Sequence, residues 1–307
     1  MRTNSFLATR SGSRSRLTAF GKAATYLILA LTGALLVSAV AKALLGASLL
    51  ELAQGGGAAG TARALLLLLG VVILPTAIVL RFFKEPFQLS AWAFDSAPRL
   101  TGWGLATGFV LLAAMAGVMW LFGAVTFGIA APTTSAAVSS LMISAILWFI
   151  QAAGEEGLHR GYAFVQICRA ISFWPTAILS SAWFMYGHVG NEGETALGII
   201  AAGLLGLALS YSLLKTGSLW FALGFHAAWN FCQSFVFGFH NSGGKPPASL
   251  LSATVNGSPL LTGGTTGPEA SLLVLPALLV LLTIINRVAT PACERSDSTI
   301  PSVSTTY

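Results

Sequence analysis

The chain has 307 residues, of which 55% are hydrophobic and 8% charged, with a mean hydropathy of +0.79 and a formal net charge of +6. Soluble domains carry roughly 25% charged residues, so this composition excludes an ordinary water-soluble fold and indicates an all-α, polytopic membrane protein. The cations gather beside apolar segments, as topology determinants do, so no nucleic-acid partner is read; Cys168, Cys232 and Cys293 lie far apart with no CxxC pair, which excludes a disulfide framework or a zinc knuckle.

Residues 1–23 are rich in Arg and Ser and contain no acid, and are expected to form a disordered, basic N-terminal arm. Runs long enough for a bilayer follow near Ala24–Leu45, Ala64–Leu80 and Trp103–Ala130. These fall in an N-terminal transmembrane scaffold over 24–137, whose acids Glu51, Glu85 and Asp95 all belong to loops. Four more runs, Val138–Phe164, Pro175–Val189, Thr195–Leu214 and Ser218–Gly238, make up the polar-bearing region 138–238. The first of these counts only if its helix continues past its polar cluster, and the second is short. An outer Gly/Ser/Thr-rich loop over 239–269 is expected to be floppy, and its His240 has no assigned role. A last transmembrane helix over 270–286 brings the expected number of helices to about eight, followed by a disordered tail over 287–307. Trp103 and Trp220 near helix ends read as interfacial anchors.

Lys and Arg set the expected orientation. With the N-terminus inside, the inner segments carry Arg2, Arg10, Arg14, Arg16, Lys22, Arg81, Lys84, Arg99, Arg169, Lys215, Arg287 and Arg295, against Lys42, Arg63 and Lys245 outside. This imbalance predicts both termini in the cytoplasm.

Three polar constellations interrupt the apolar region: Glu155, Glu156, His159 and Arg160 in QAAGEEGLHRGYAF, Phe184 and His188 in WFMYGHVGNEGE, and His226 and Asn230 in GFHAAWNF. Glu155 lies fourteen residues from Arg169, about 21 Å of helix, and the two histidines reach comparable depth. An ionised group at the centre of a membrane helix costs on the order of 2.5–3.5 kcal/mol, so such groups face a bundle interior or a hydrated cavity. The expectation is one cavity shared by three helices and open to the cytoplasm. The i, i+4 spacing sets Glu156 over Arg160 as a buried structural ion pair and Glu155 over His159 as a tuning neighbour, leaving Glu155 available for chemistry. Glu192 and Glu194 are expected in a solvated outer loop.

The ordered patterns EExxxRG (Glu155, Glu156, Arg160, Gly161), FxxxH (Phe184, His188) and HxxxN (His226, Asn230) resemble the CPBP family of intramembrane proteases, which includes the type II CAAX prenyl proteases and bacterial homologues linked to bacteriocin immunity. The resemblance implies an all-helical membrane protease of a bacterial plasma membrane. In it Glu155 activates a water with help from His188, His226 and Asn230 steady the oxyanion, and a membrane-associated peptide or protein is the substrate. Phe usually precedes the motif arginine in this family; here His159 does, which puts pocket shape and pH dependence in question. A carboxylate raised by desolvation and preorganised donors suit peptide hydrolysis. A zinc ion on Glu155, His188 and His226 is the alternative, since the ligand types fit but no HExxH requires it. GxGD of the presenilin class is also absent, and no convincing rhomboid GxSG is found. The rivals from other classes are a proton-coupled transporter and a non-catalytic immunity or scaffold protein.

Overall fold

The computed structural model describes residues 7–8, 12–46, 57–130, 134–246 and 248–288. The chain begins with α1 (Ser13–Leu45) and continues through α2 (Gly57–Leu67), a π-helical turn over Leu68–Ile73 and α3 (Leu74–Phe82). Next come α4 (Ala97–Leu121), strand β1 (Val125–Ile129), α5 (Thr134–Arg160), α6 (Tyr162–Ile171), α7 (Phe173–Tyr186), α8 (Ala196–Thr216) and α9 (Trp220–Phe231), the last extended by a π-helical turn over Cys232–Val236. Strand β2 (Leu251–Val255), the short α10 (Pro259–Thr262) and α11 (Val274–Val288) complete it.

The eight apolar runs are all helical at their centres. Among the described residues five helices are long and apolar enough to cross a membrane: Ser13–Leu44, Gly60–Phe82, Ala97–Leu121, Val138–Ile171 and Ala196–Thr216. Val274–Val288 is apolar but shorter, and α7 and α9 are shorter still. The fourth run does continue past its polar cluster, with a break at Gly161 between α5 and α6.

Three expectations about element boundaries are corrected. The arm ascribed to 1–23 is helical from Ser13, because Ala19, Ala23 and Tyr26 bury one side of α1, Ala23 and Tyr26 against Tyr162 and Phe164 of α6; residues 1–6 and 9–11 lie outside the described residues. The third run ends as a helix at Leu121. Gly123, at φ +67°, turns the chain, and VTFGI then pairs antiparallel with LSATV from Val125↔Val255 to Ile129↔Leu251, so the α-helical bundle carries a two-stranded sheet. The loop over 239–269 is folded, since it supplies β2 and is tied down by specific hydrogen bonds. The Leu250 N–H donates to the Phe235 carbonyl at 2.7 Å, Asn256 N–H to Ala124 at 2.9 Å, and the Thr266 hydroxyl to the Gly193 carbonyl at 2.7 Å. The tail beyond Val288 lies outside the described residues.

These contacts define the two ends of the bundle. At one end Glu85 accepts from Lys22 Nζ at 2.7 Å, Tyr162 OH at 2.5 Å and Gln166 Nε2 at 2.8 Å, with Arg169 Nη1 at 3.5 Å, tying α1 and α6 to the loop after α3. Arg99 donates to the Val288 carbonyl and Leu219 N–H to the Ala91 carbonyl at the same end. The opposite end carries the sheet, the 187–195 turn and the 237–273 segment.

Between them, α9 lies against α4 at a distance set by glycine. A Cβ on Gly104 would sit 2.3 Å from the Phe221 carbonyl oxygen, one on Gly108 2.4 Å from that of Phe225, and one on Gly224 2.4 Å from that of Thr101. Close backbone approach through small residues is how helices associate where lipid removes the hydrophobic drive. It fixes the helix that carries His226 and Asn230. Trp220, expected as an interfacial anchor, packs edge-on against Trp92, with ring centroids 5.2 Å apart.

Candidate active site

The two adjacent glutamates of α5 have different environments, as their hundred-degree separation requires. Glu156 and Arg160 are both fully buried, and Arg160 Nη1 donates to Glu156 Oε2 at 2.8 Å. The rest of the guanidinium is used by α8: Nε and Nη2 donate to the Gly206 carbonyl at 3.3 and 3.2 Å, and Nε also reaches Ser210 Oγ at 3.3 Å. Its planar face lies over the Phe184 ring at 5.3 Å. One side chain thereby joins α5, α7 and α8, and the structural pair expected from i, i+4 spacing is present.

The other oxygen of Glu156 is 2.9 Å from His226 Nδ1. A carboxylate only accepts, so Nδ1 carries the proton and donates, which leaves His226 Nε2 facing Glu155 Oε2 at 3.6 Å. Glu155 is one third exposed, and its other oxygen accepts from Gln151 Nε2 at 3.1 Å. Gln151 lies one turn before Glu155 and is a site residue that sequence reasoning missed, although the i, i+4 spacing that paired Glu156 with Arg160 also reaches it.

Glu155 opens onto a cavity of about 470 Å³. Trp148, Gln151, Glu155 and His159 line it from one face of α5, and Phe184 and His188 from the end of α7. Ala202, Leu205 and Leu209 contribute from α8, and Phe225, His226, Trp229 and Asn230 from α9. All three polar constellations therefore reach one cavity, as the shared-cavity expectation required. Their pairings differ from it, because it is His226, not His188, that stands next to Glu155. His188 Nδ1 lies 2.9 Å from the Phe184 carbonyl of its own helix; the carbonyl accepts, so Nε2 is the nitrogen left for the cavity. His159, expected to tune Glu155, packs between Trp183 and Phe184 with ring centroids 4.6 and 5.2 Å away. Its Nδ1 is buried without a hydrogen-bond partner.

The cavity extends toward the sheet-bearing end of the bundle. Beyond the helices the wall is built by Asn191 and Glu194 of the 187–195 turn, by Asn241, Ser242 and Gly244, by Glu269, and by Arg63 near the start of α2. All of these belong to the sheet-bearing end, opposite the end that carries Lys22, Arg81, Lys84, Arg99, Arg169 and Arg287. None of the residues lining the cavity comes from the Lys/Arg-rich end. Depth counted from Arg169 locates Glu155 along the helix but is silent on what lies beneath it, which is the buried Glu156–Arg160 pair bonded to α8.

Glu269 and Glu194 are further cavity carboxyls outside the expected set. Burial pushes the Glu269 carboxyl up to about 7 against the opposing donors. The Ser242 N–H donates to it at 2.6 Å and the Gln233 amide to its other oxygen, and Gln233 also donates to the His240 carbonyl at 2.6 Å. His240 is therefore part of this loop's scaffolding. No periodicity marks Glu269 in sequence, since it enters through a loop.

No group of three His, Cys, Asp or Glu side chains placed to hold a metal ion occurs among the described residues. Glu155, His188 and His226 share the cavity but do not converge as the tetrahedral set that zinc takes, so no step is derived through a metal.

Among the described residues a glutamate and two imidazoles thus surround one cavity of a helical membrane protein. Residues 136–232, about a third of the chain, match the family model of Rce1-like proteins, described as type II CAAX prenyl endopeptidase. The match covers all three motifs, bears out the resemblance read from them, and supports a membrane protease. No curated protein and no solved structure matches the chain.

Proposed function

We propose that the protein is an intramembrane endopeptidase that hydrolyses a peptide bond with a water activated by Glu155. The observation that carries this reading is the division between the glutamates: Glu156 is fully buried and committed to Arg160 and His226, whereas Glu155 is one third exposed to the cavity and steered by Gln151 and His226. Atoms 3.6 Å apart can both contact one oxygen, so Glu155 Oε2 and His226 Nε2 can share a single water. Glu155 takes a proton from that water as its oxygen attacks the scissile carbonyl carbon. The tetrahedral intermediate carries its charge on the former carbonyl oxygen, where Asn230 acts as a donor. When the C–N bond breaks, the proton held by Glu155 passes to the leaving amine. His188 presents Nε2 as an acceptor and orients the water or the substrate amide. A membrane-associated peptide or protein is the substrate class, and the chain spans the bilayer with both termini on the cytoplasmic side.

The test is a comparison of new peptide termini in membranes carrying the wild type or Glu155→Gln. Termini present only with the wild type are expected, with equal amounts of folded protein. Identical sets of termini would remove Glu155 as the base.

A further inference from the structure

Behind Glu155 lies a second cavity, of about 300 Å³, between α1, α2 and α5. Its wall is largely apolar: Ala34 of α1, Ala64 and Leu67 of α2, Val72 of the π-helical turn, and Gly154 and Leu158 of α5. Arg63, Gln151 and Glu155 line both this cavity and the larger one, so the two meet at the carboxylate proposed as the base. Glycine shapes the space between them. A Cβ on Gly157 would sit 2.5 Å from Val72 Cγ1, whereas one on Gly154 meets nothing within 4 Å. Helix α5 therefore touches the π-helical turn at Gly157 and leaves a slot beside Glu155 about one turn earlier. Among the described residues Arg63 is the one Lys or Arg that lines either cavity. Its Nε is buried without a hydrogen-bond partner, and none of the ion pairs among the described residues includes it. Arg160, in contrast, gives its donors to Glu156, Gly206 and Ser210. A guanidinium stays charged and a half-buried charge gains from a partner, and the partner that its planar fork matches is a carboxylate. Arg63 also lies outside residues 136–232, the span of the family match.

We propose that Arg63 and the apolar slot together form a subsite that sets specificity: the guanidinium takes a carboxylate of the substrate polypeptide and the slot takes an aliphatic side chain beside it. This rests on the reading of the larger cavity as the proteolytic site. A main-chain carboxylate at a chain end and the side chain of Asp or Glu present the same planar pair of oxygens to the fork, and either fits. Because Glu155 lines both cavities, the residue held here is close to the bond that is cut. The cation also offsets the repulsion that Glu155 exerts on an incoming carboxylate. Arg63 takes no part in the proton transfers; it selects and positions what Glu155 acts on.

The experiment measures binding and needs no turnover. The full chain carrying Glu155→Gln is purified in detergent and titrated with fluorescein-labelled Gly/Ser peptides, read by anisotropy. One peptide ends in Leu with a free carboxylate, a second in Leu carboxamide, and a third in Asp-Leu carboxamide. At least one of the two carboxylate peptides is expected to bind about 10- to 100-fold tighter than the neutral one, the range of a charged hydrogen-bonded pair. A lead for the free acid assigns the subsite to a chain end, and a lead for the Asp peptide assigns it to an acidic side chain. Arg63→Gln is expected to erase the difference, with Arg63→Met in its place should that variant not fold, and Arg63→Lys to restore part of it, since it keeps the charge without the fork. Exchanging the Leu of the tighter peptide for Gly is expected to weaken binding about tenfold or more, and Gly154→Leu, a better helix former that fills the slot, to remove that second difference. Equal binding of all three leucine peptides by the protein that retains Arg63 overturns the proposal, as does a carboxylate preference that survives Arg63→Gln or Arg63→Met, or equal binding of the Leu and Gly peptides. If the proteolytic reading is wrong, Glu155→Gln leaves peptide termini in membranes unchanged while the carboxylate preference stands, so the two failures are distinguishable.

Discussion

Replacing Arg160 by methionine keeps much of the side-chain length and removes the guanidinium from a site where it has no access to water. Glu156, also fully buried, loses its 2.8 Å partner, and the Gly206 carbonyl loses two donors while keeping the Ser210 hydroxyl at 2.9 Å. Breaking a buried pair by removing one partner costs about 3–5 kcal/mol, because the remaining charge is left uncompensated. At about 2–4 °C per kcal/mol for a larger domain, this corresponds to a fall of roughly 6–20 °C in thermal midpoint. Arg160→Lys retains a charge but loses the fork that reaches α5 and α8 together, and hydrogen bonds to charged groups contribute about 1.5–3 kcal/mol each, so it falls between the two. Glu156→Gln combined with Arg160→Met removes both charges and recovers part of the loss, short of the parent because His226 then lacks its carboxylate. The assay is thermal unfolding of the detergent-purified variants, with Glu155→Gln as the control, since that carboxylate is one third exposed and holds no helix in place. An Arg160→Met protein as stable as the wild type would refute the view that this pair closes the bundle beneath the cavity.

Asn230→Ala is expected to lower turnover by about 10²–10³, the usual loss for one oxyanion donor, with substrate affinity little changed in a steady-state assay. Burial raises the Glu85 carboxyl, but Lys22, Tyr162 and Gln166 outweigh it and hold the group below the usual carboxylate range. Its contribution is complete above the unfolded value of about 4.3 and is lost as pH falls through the depressed folded value, so the wild-type midpoint drops in acid and that of Glu85→Gln drops less. Glu269 behaves oppositely: with its carboxyl raised to about 7, the folded state binds the extra proton between the unfolded value of about 4.3 and 7, and stability declines as pH rises through that window. Glu269→Gln flattens this decline. Gly108→Val drives a side chain into the Phe225 carbonyl and is expected to cost about 1–3 kcal/mol or more and to reduce turnover by displacing His226. Gly117→Val, where a Cβ meets nothing within 4 Å, leaves both unchanged.

What the sequence by itself determined follows from short-range rules. Composition selected the solvent, apolar runs located the helices, and i, i+4 spacing paired Glu156 with Arg160 and turned Glu155 away from that pair, because a helix converts residue separation directly into direction. The three motifs also sufficed for the family resemblance. Other features depended on groups distant in the chain. His226 became the neighbour of Glu155 because glycines at 104, 108 and 224 let α9 approach α4 backbone to backbone, an approach that no local pattern encodes. VTFGI left the third helix because its partner LSATV lies more than a hundred residues on, and strand pairing is visible only once both strands are placed. Glu269 entered the cavity on a loop whose composition reads as floppy but whose polar groups are satisfied by Gln233, Gly193 and Ser234. The surroundings of Glu155, finally, are a property of packing: residue counts along one helix measure depth, and only the packing of α5 against α8 through Arg160 decided what lies beneath that glutamate.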